Sequence, residues 1–110
     1  MKIINLTPHA ITVRTDSGDR VFEPSGAIAR VTTTATPAGE VDGIPVVNQT
    51  FGEIEGLPVP EPNTVFIVSS IVLAAAKEAG RTDVIAPDTS PQGVIRDEQG
   101  RIVAVKRFVR

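Results

Sequence analysis

The residues able to do chemistry lie in a few short stretches. In "VIRDEQGRIVAVKR" (94–107), Arg96 and Asp97 stand side by side ahead of a glycine. Arginine offers a rigid fork of N–H donors that grips a phosphate or a purine edge. Aspartate accepts from a ribose hydroxyl or an exocyclic amine. The same pair also reads as a polar hairpin end that keeps edge strands from aggregating, and on this stretch alone that plainer reading is favoured. In "SSIVLAAAKEAGRTD" (69–83), Ser69 and Ser70 fall at a strand-to-helix junction. Free N–H groups in the first helical turn attract anions there, although serine is equally an ordinary helix cap. Arg81 and Asp83 follow the helix stop and read as a surface pair worth less than about 1 kcal/mol. Arg30, Arg101, Lys106 and Arg107 could add positive charge, on faces the sequence leaves open.

Other candidates have plainer readings. Glu53 and Glu55 are spaced to share one strand face and could hold a metal, but such a pair is more commonly a solvated face. His9 could serve as a base, yet no serine or cysteine is locally arranged with it, and beside Pro8 it reads as a turn residue. Neither a phosphate-cradling glycine loop nor a dinucleotide fingerprint is present. The chain has no cysteine and a single histidine. Disulfides, cysteine nucleophiles and a self-sufficient zinc site are thereby excluded.

These residues depend on the elements that carry them. "KIINL" (2–6) reads as a first strand, interrupted at Thr7-Pro8-His9 because proline lacks a ladder donor. "AITVRT" (10–15) and "RVFEP" (20–24) flank the turn "DSGD" as a hairpin. "AIARVTTTAT" (27–36) is β-rich. The segment 37–63 holds five prolines and four glycines and is expected to carry short strands at most, such as "IPVVNQTF" (44–51). "TVFIVSS" (64–70) is the most apolar strand and is expected at the centre of a sheet. It runs into the one expected helix, about 70–79, with Lys77 in the last turn and Gly80 to stop it. "RTDVIAP" (81–87) becomes a short strand. "GVIRD" and "RIVAVKRFV" then pair across Glu98-Gln99-Gly100, with Gly100 suited to a left-handed position. The expected fold is α+β: mostly short antiparallel strands around a single helix, with a C-terminal β-hairpin, in one domain spanning 1–110.

Composition bounds the function. With 110 residues, 41% of them apolar, the chain can build one core. A net charge of −2 argues against a protein that grips long nucleic acid by its backbone, without excluding a local arginine pocket. No apolar run approaches the ~20 residues needed to span a bilayer. "MKIINLTPH" is too short in apolar residues for a signal peptide, so the expected location is the cytoplasm.

Taken together, "INLTPHAITV", "VVNQTFGEIEGLP", the "VFIVSS" strand entering an alanine helix, "RTDVIAPD" and "RDEQGRIVAVKRF" resemble a small protein family of bacteriophages and prophages. The pattern covers nearly all of the chain. It is similar to the first type of phage anti-defence sponges that counter Thoeris immunity. That resemblance implies a non-enzymatic protein that binds a cyclic ADP-ribose signal, in some cases also cyclic oligonucleotides, and does not cleave it. It implies no cofactor and no metal, and a homo-oligomer, a dimer or a hexamer built from dimers, with a ligand site formed partly between subunits. Arg96-Asp97 matches the family's ligand-gripping pair. The family's pocket also uses a stacking aromatic, for which Phe22, Phe51, Phe66 and Phe108 are available. The resulting candidate ligand-binding set is Arg96, Asp97, Ser69, Ser70, Arg81, Asp83, Phe51 and Arg30. Two other functions remain open from the residues: a structural or accessory phage protein acting through protein–protein assembly, and an enzyme using Glu53, Glu55 or His9.

Overall fold

The strand–helix–strand run from Thr64 to Pro87 organises the molecule. A computed structural model describes all 110 residues. In it, β6 (Thr64–Ile67) is buried at every position, leads into α1 (Ser70–Glu78), and returns as β7 (Val84–Pro87) parallel to β6. A parallel pair cannot be closed by a tight turn, so the helix is the crossover that the pairing requires. Strand β1 (Lys2–Asn5) adds parallel on the other side of β6, and β10 (Phe108–Val109) adds antiparallel to β7. The sheet order is β1-β6-β7-β10.

Helix α1 has defined ends. The Ser69 hydroxyl accepts from the Val72 N–H at 3.4 Å. At the other end Gly80 takes φ +83°, its N–H bonds to the Lys77 carbonyl at 3.0 Å, and the Arg81 N–H reaches the Ala76 carbonyl at 2.9 Å. This is a left-handed glycine stop that satisfies two otherwise orphaned carbonyls. Val72, Leu73, Ala75 and Ala76 form the buried stripe. Val72, Leu73 and Ala76 pack with Leu6, Phe66, Val68, Val84 and Ala86 in one core.

A second sheet has the order β3-β2-β9-β8. Here β2 (Ile11–Thr15) pairs antiparallel with β3 (Gly18–Phe22) and parallel with β9 (Ile102–Val105). Strand β8 (Val94–Arg96) pairs antiparallel with β9 as the expected C-terminal hairpin, with Gly100 at φ +82°. The join between the N-terminal segments is the stretch Asn5–His9. The buried Asn5 side chain donates to the carbonyls of His9 and Phe22, both at 2.8 Å. Its Oδ1 accepts from the Thr7 N–H at 2.9 Å and the Thr7 hydroxyl at 2.7 Å. Every polar atom of the amide is therefore used, as burial demands.

The third unit is a ribbon of two 12-residue strands, β4 (Arg30–Val41) and β5 (Ile44–Glu55), joined at Asp42-Gly43. Asp42 and Gly43 both have positive φ, 53° and 78°, as a tight hairpin turn of the primed type requires. Apart from each other, the element these strands chiefly touch is α1. Val31 and Ile54 at the base pack against the core, while most of the rest is exposed.

The expected architecture of mostly short antiparallel strands around one helix is therefore corrected. The fold is dominated by sheet, with 51% of residues in strands and 8% in helix, and the strands form several sheets. Three pairings are parallel: β1 with β6, β6 with β7, and β2 with β9. The helix flanks one sheet and the ribbon base and is not the hub of the molecule. Two physical reasons account for the difference. A strand–helix–strand order carries a parallel register with it. In addition, the glycines and prolines of 37–63 were weighed as loop formers, whereas Asp42-Gly43 is a hairpin turn between two long strands. No helix is long and apolar enough to cross a membrane.

Candidate functional site

The base of the ribbon straddles α1 and leaves a cleft at each end of the helix. At the N-terminal end, a cleft of about 350 Å³ lies between the start of β4, the Leu6–Pro8 bend and the first turn of α1. Its walls include Ile28, Val31 and Ile71 on the apolar side and Thr7, Arg30 and Ser69 on the polar side. This volume lies in the range of small-molecule sites, as does the mix of apolar walls with a few polar groups. Arg30 is exposed and forms no ion pair within the chain. Its cross-strand neighbour in register is Glu55. The N–H groups of Ser70 and Ile71 belong to the first helical turn, where no intrahelical acceptor exists. The Ser69 hydroxyl is committed to Val72, so Ser69 acts as the cap and Ser70 as the first helical residue.

Along the C-terminal half of α1 runs a second groove. One part, about 410 Å³, is lined by Glu53, Ile54, Leu57, Ala75, Ala79 and Arg81. It continues past Gly52 into a part of about 350 Å³ bordered by Phe51, Gln49 and Glu78. The helix presents alanine here, and small side chains leave the space open. Arg81 and Asp83 form the pair that their spacing suggested, though it is only partly exposed. The Arg81 Nε and Nη2 donate to the two carboxylate oxygens of Asp83 at 2.9 and 2.8 Å, and Nη2 also donates to the Pro58 carbonyl at 2.8 Å. The side chains are 20% and 16% exposed. The hydrogen bond with Asp83 raises the Arg81 pKa, and the same bond lowers that of Asp83. The bond to the Pro58 carbonyl ties the 56–63 loop to the helix end.

The structure brings together Arg30 with Ser69 in the first cleft, and Phe51 with Arg81 in the second groove. Arg96 and Asp97 lie elsewhere, at the tip of the β8–β9 hairpin, and line neither cleft. The Arg96 Nη1 donates to the Gly100 carbonyl at 2.6 Å. The Asp97 Oδ1 accepts from the N–H groups of Gln99 at 2.9 Å and Arg101 at 3.0 Å. Within one copy of the chain, both side chains close their own turn.

His9 contributes its carbonyl to the Asn5 and Thr7 hydrogen bonds. Glu53 borders the second groove, while Glu55 pairs across from Arg30. No three histidine, aspartate or glutamate side chains gather at one place.

One important carboxylate escapes a reading of the sequence. Asp88 is buried, with Oδ1 accepting from the Ser90 N–H at 3.0 Å and Oδ2 from Arg107 Nε at 2.6 Å. These bonds, those from Ser90 first and that from Arg107 second, hold its pKa down at about 2. A Cβ at Gly93 would overlap the Asp88 carboxyl, so glycine is needed there for the loop to close. The Asp88-Thr89-Ser90 sequence is an Asx-turn signature and could have pointed to the first bond. Nothing local points to Arg107.

Comparison of the chain with protein-family models, with curated proteins and with solved structures finds no match.

Proposed function

We propose that this protein is a non-enzymatic sponge that holds a cyclic nucleotide immune signal, a cyclic ADP-ribose isomer or a cyclic oligonucleotide, in the cleft at the N-terminal end of α1. The observation that carries this reading is the placement of Arg30, free of any ion pair, on a small-molecule-sized cleft beside the first turn of the helix. A guanidinium and first-turn N–H groups together suit a phosphate. The faces of Ile28 and Ile71 suit a base or a sugar. The sequence resemblance to phage anti-defence proteins supplies the ligand class. In this reading Arg96-Asp97 joins the site only from a second copy, because within one chain the hairpin tip that carries it lines neither cleft.

Calorimetry of the full chain with cyclic ADP-ribose isomers and with cyclic di- and trinucleotides tests the proposal. Heat of binding is expected with at least one of them. Silence from every ligand at protein concentrations of roughly 50 µM, where micromolar binding is measurable, would falsify it.

A further inference from the structure

The groove beside the C-terminal half of α1 follows the edge of a strand. It is bordered by every residue of β5 from Gln49 to Ile54 and by no residue of β4. Successive side chains of a strand point to opposite faces. A groove under one face of the ribbon would meet alternate residues and would reach β4 as well. This one therefore runs along the side of β5 that faces away from β4, its only partner in the sheet. The opposite wall is Ala75, Glu78 and Ala79 of the helix, where the small alanine side chains leave room for another backbone.

That edge is open. No backbone bond from outside the ribbon reaches any residue between Ile44 and Glu55. In an antiparallel pair alternate residues turn their N–H and C=O groups outward, and along this stretch they meet only solvent. Edge strands are ordinarily guarded by lysine or proline. Strand β5 has no lysine or arginine, and its one proline, Pro45, lies outside the groove. The free charge at the groove has one sign. Glu53 and Glu78 border it, are exposed and form no ion pair. The cations nearby are committed elsewhere: Arg81 to Asp83, and the Lys77 Nζ to the Arg110 carbonyl at 3.4 Å. The C-terminal end of the helix dipole adds to the negative field.

We propose that this groove takes an extended, basic segment of a partner protein, added as a third strand to the free edge of β5. Strand addition draws affinity from main-chain hydrogen bonds and specificity from alternate side chains. The stretch from Gln49 to Ile54 offers roughly 20 Å of edge, the length of an ordinary strand. Small apolar side chains of the segment face Ala75 and Ala79, and its lysines or arginines meet Glu53 and Glu78. An acidic segment is repelled by the same two carboxylates, and so is an anionic nucleotide. The two ends of α1 thus sort their ligands by charge, with Arg30 at one and Glu53 and Glu78 at the other.

The probe is a short fluorescent peptide of alternating valine and lysine, blocked at both ends, titrated with the full chain and followed by anisotropy. Saturable binding is expected at protein concentrations up to roughly 100 µM. Glutamate in place of lysine should weaken it by roughly tenfold or more, the scale of a charged hydrogen bond. Methylating alternate backbone nitrogens of the lysine peptide should abolish binding while keeping its charge and side chains. On the protein, Ala79→Trp fills the groove from an exposed position and should abolish binding with the melting temperature kept. The methylated peptide needs only the wild-type chain, so the test stands should Ala79→Trp fail to fold. Binding that is lost on methylation and in a folded Ala79→Trp supports the proposal. It is overturned if the lysine peptide does not bind, as when another copy of the chain already covers the edge. Equal binding of the glutamate or methylated peptide also overturns it, as does full binding to Ala79→Trp.

Discussion

Arg107 Nε donates to Oδ2 of the buried Asp88 at 2.6 Å, across 19 residues of sequence. The Asp88 N–H returns a bond to the Arg107 carbonyl at 3.0 Å. Together these two contacts clasp the C-terminal strand to the loop after β7.

The clasp makes stability depend on acid. The folded pKa of Asp88 is depressed from its ordinary 3.8 to about 2. A depressed carboxylate contributes stability that is fully present above the unfolded value and lost as pH falls through the folded value. The melting temperature should therefore fall between about pH 4 and pH 2. Asp88→Asn should melt lower than wild type at pH 7, with the gap closing towards pH 2. A gap of equal size at both pH values in thermal denaturation would show that the charge of Asp88 is not what holds the clasp.

Asn5 is the hub of the N-terminal bend. Asn5→Ala would leave the Thr7 donors and the His9 and Phe22 carbonyls without their shared partner. Unpaired buried groups cost about 1–3 kcal/mol each. Some of these groups reach water, so a total loss of about 2–4 kcal/mol is expected. Urea denaturation with a midpoint shift and an unchanged slope would register it. An Asn5→Ala midpoint equal to that of wild type would mean that the bend is held by something else.

Arg30 and Arg96 separate two versions of the ligand site. Arg30→Ala should weaken binding by more than tenfold with an unchanged melting temperature, since a charged hydrogen bond contributes about 1.5–3 kcal/mol. Arg96→Ala should have a comparable effect only if a second copy brings the hairpin tip to the cleft. Titration calorimetry of both variants, together with their masses in solution, distinguishes a site complete in one chain from a shared one. Wild-type affinity in Arg30→Ala would remove this cleft from the account.

The elements with local chemical punctuation were legible in the sequence. Helix α1 announced itself through Ser69, its alanines and Gly80, and the β8–β9 hairpin through Gly100. The β4–β5 ribbon was obscured because its prolines and glycines suggested loop, although Asp42-Gly43 encodes the turn. The parallel pairings leave no local mark, since their register is set by core residues such as Phe66 and Val84 meeting across a crossover. The site was legible only in pieces. Arg30 and Ser69 meet in one cleft through the packing of the ribbon base on the helix, which no spacing expresses. Nothing around Asp88 announces its bond to Arg107, which lies beyond a whole hairpin. Arg96-Asp97 was conspicuous by residue type, yet its donors and acceptors serve its own turn.

Retention and recovery of the ligand test sequestration most directly. The full chain is incubated with a cyclic ADP-ribose isomer or a cyclic oligonucleotide, washed by ultrafiltration and heated, and the released small molecule is weighed by mass spectrometry. The expected result is intact ligand, near one equivalent per chain or per shared site. Recovery of a hydrolysed product would contradict a sponge, and retention of none of these ligands would contradict nucleotide binding altogether.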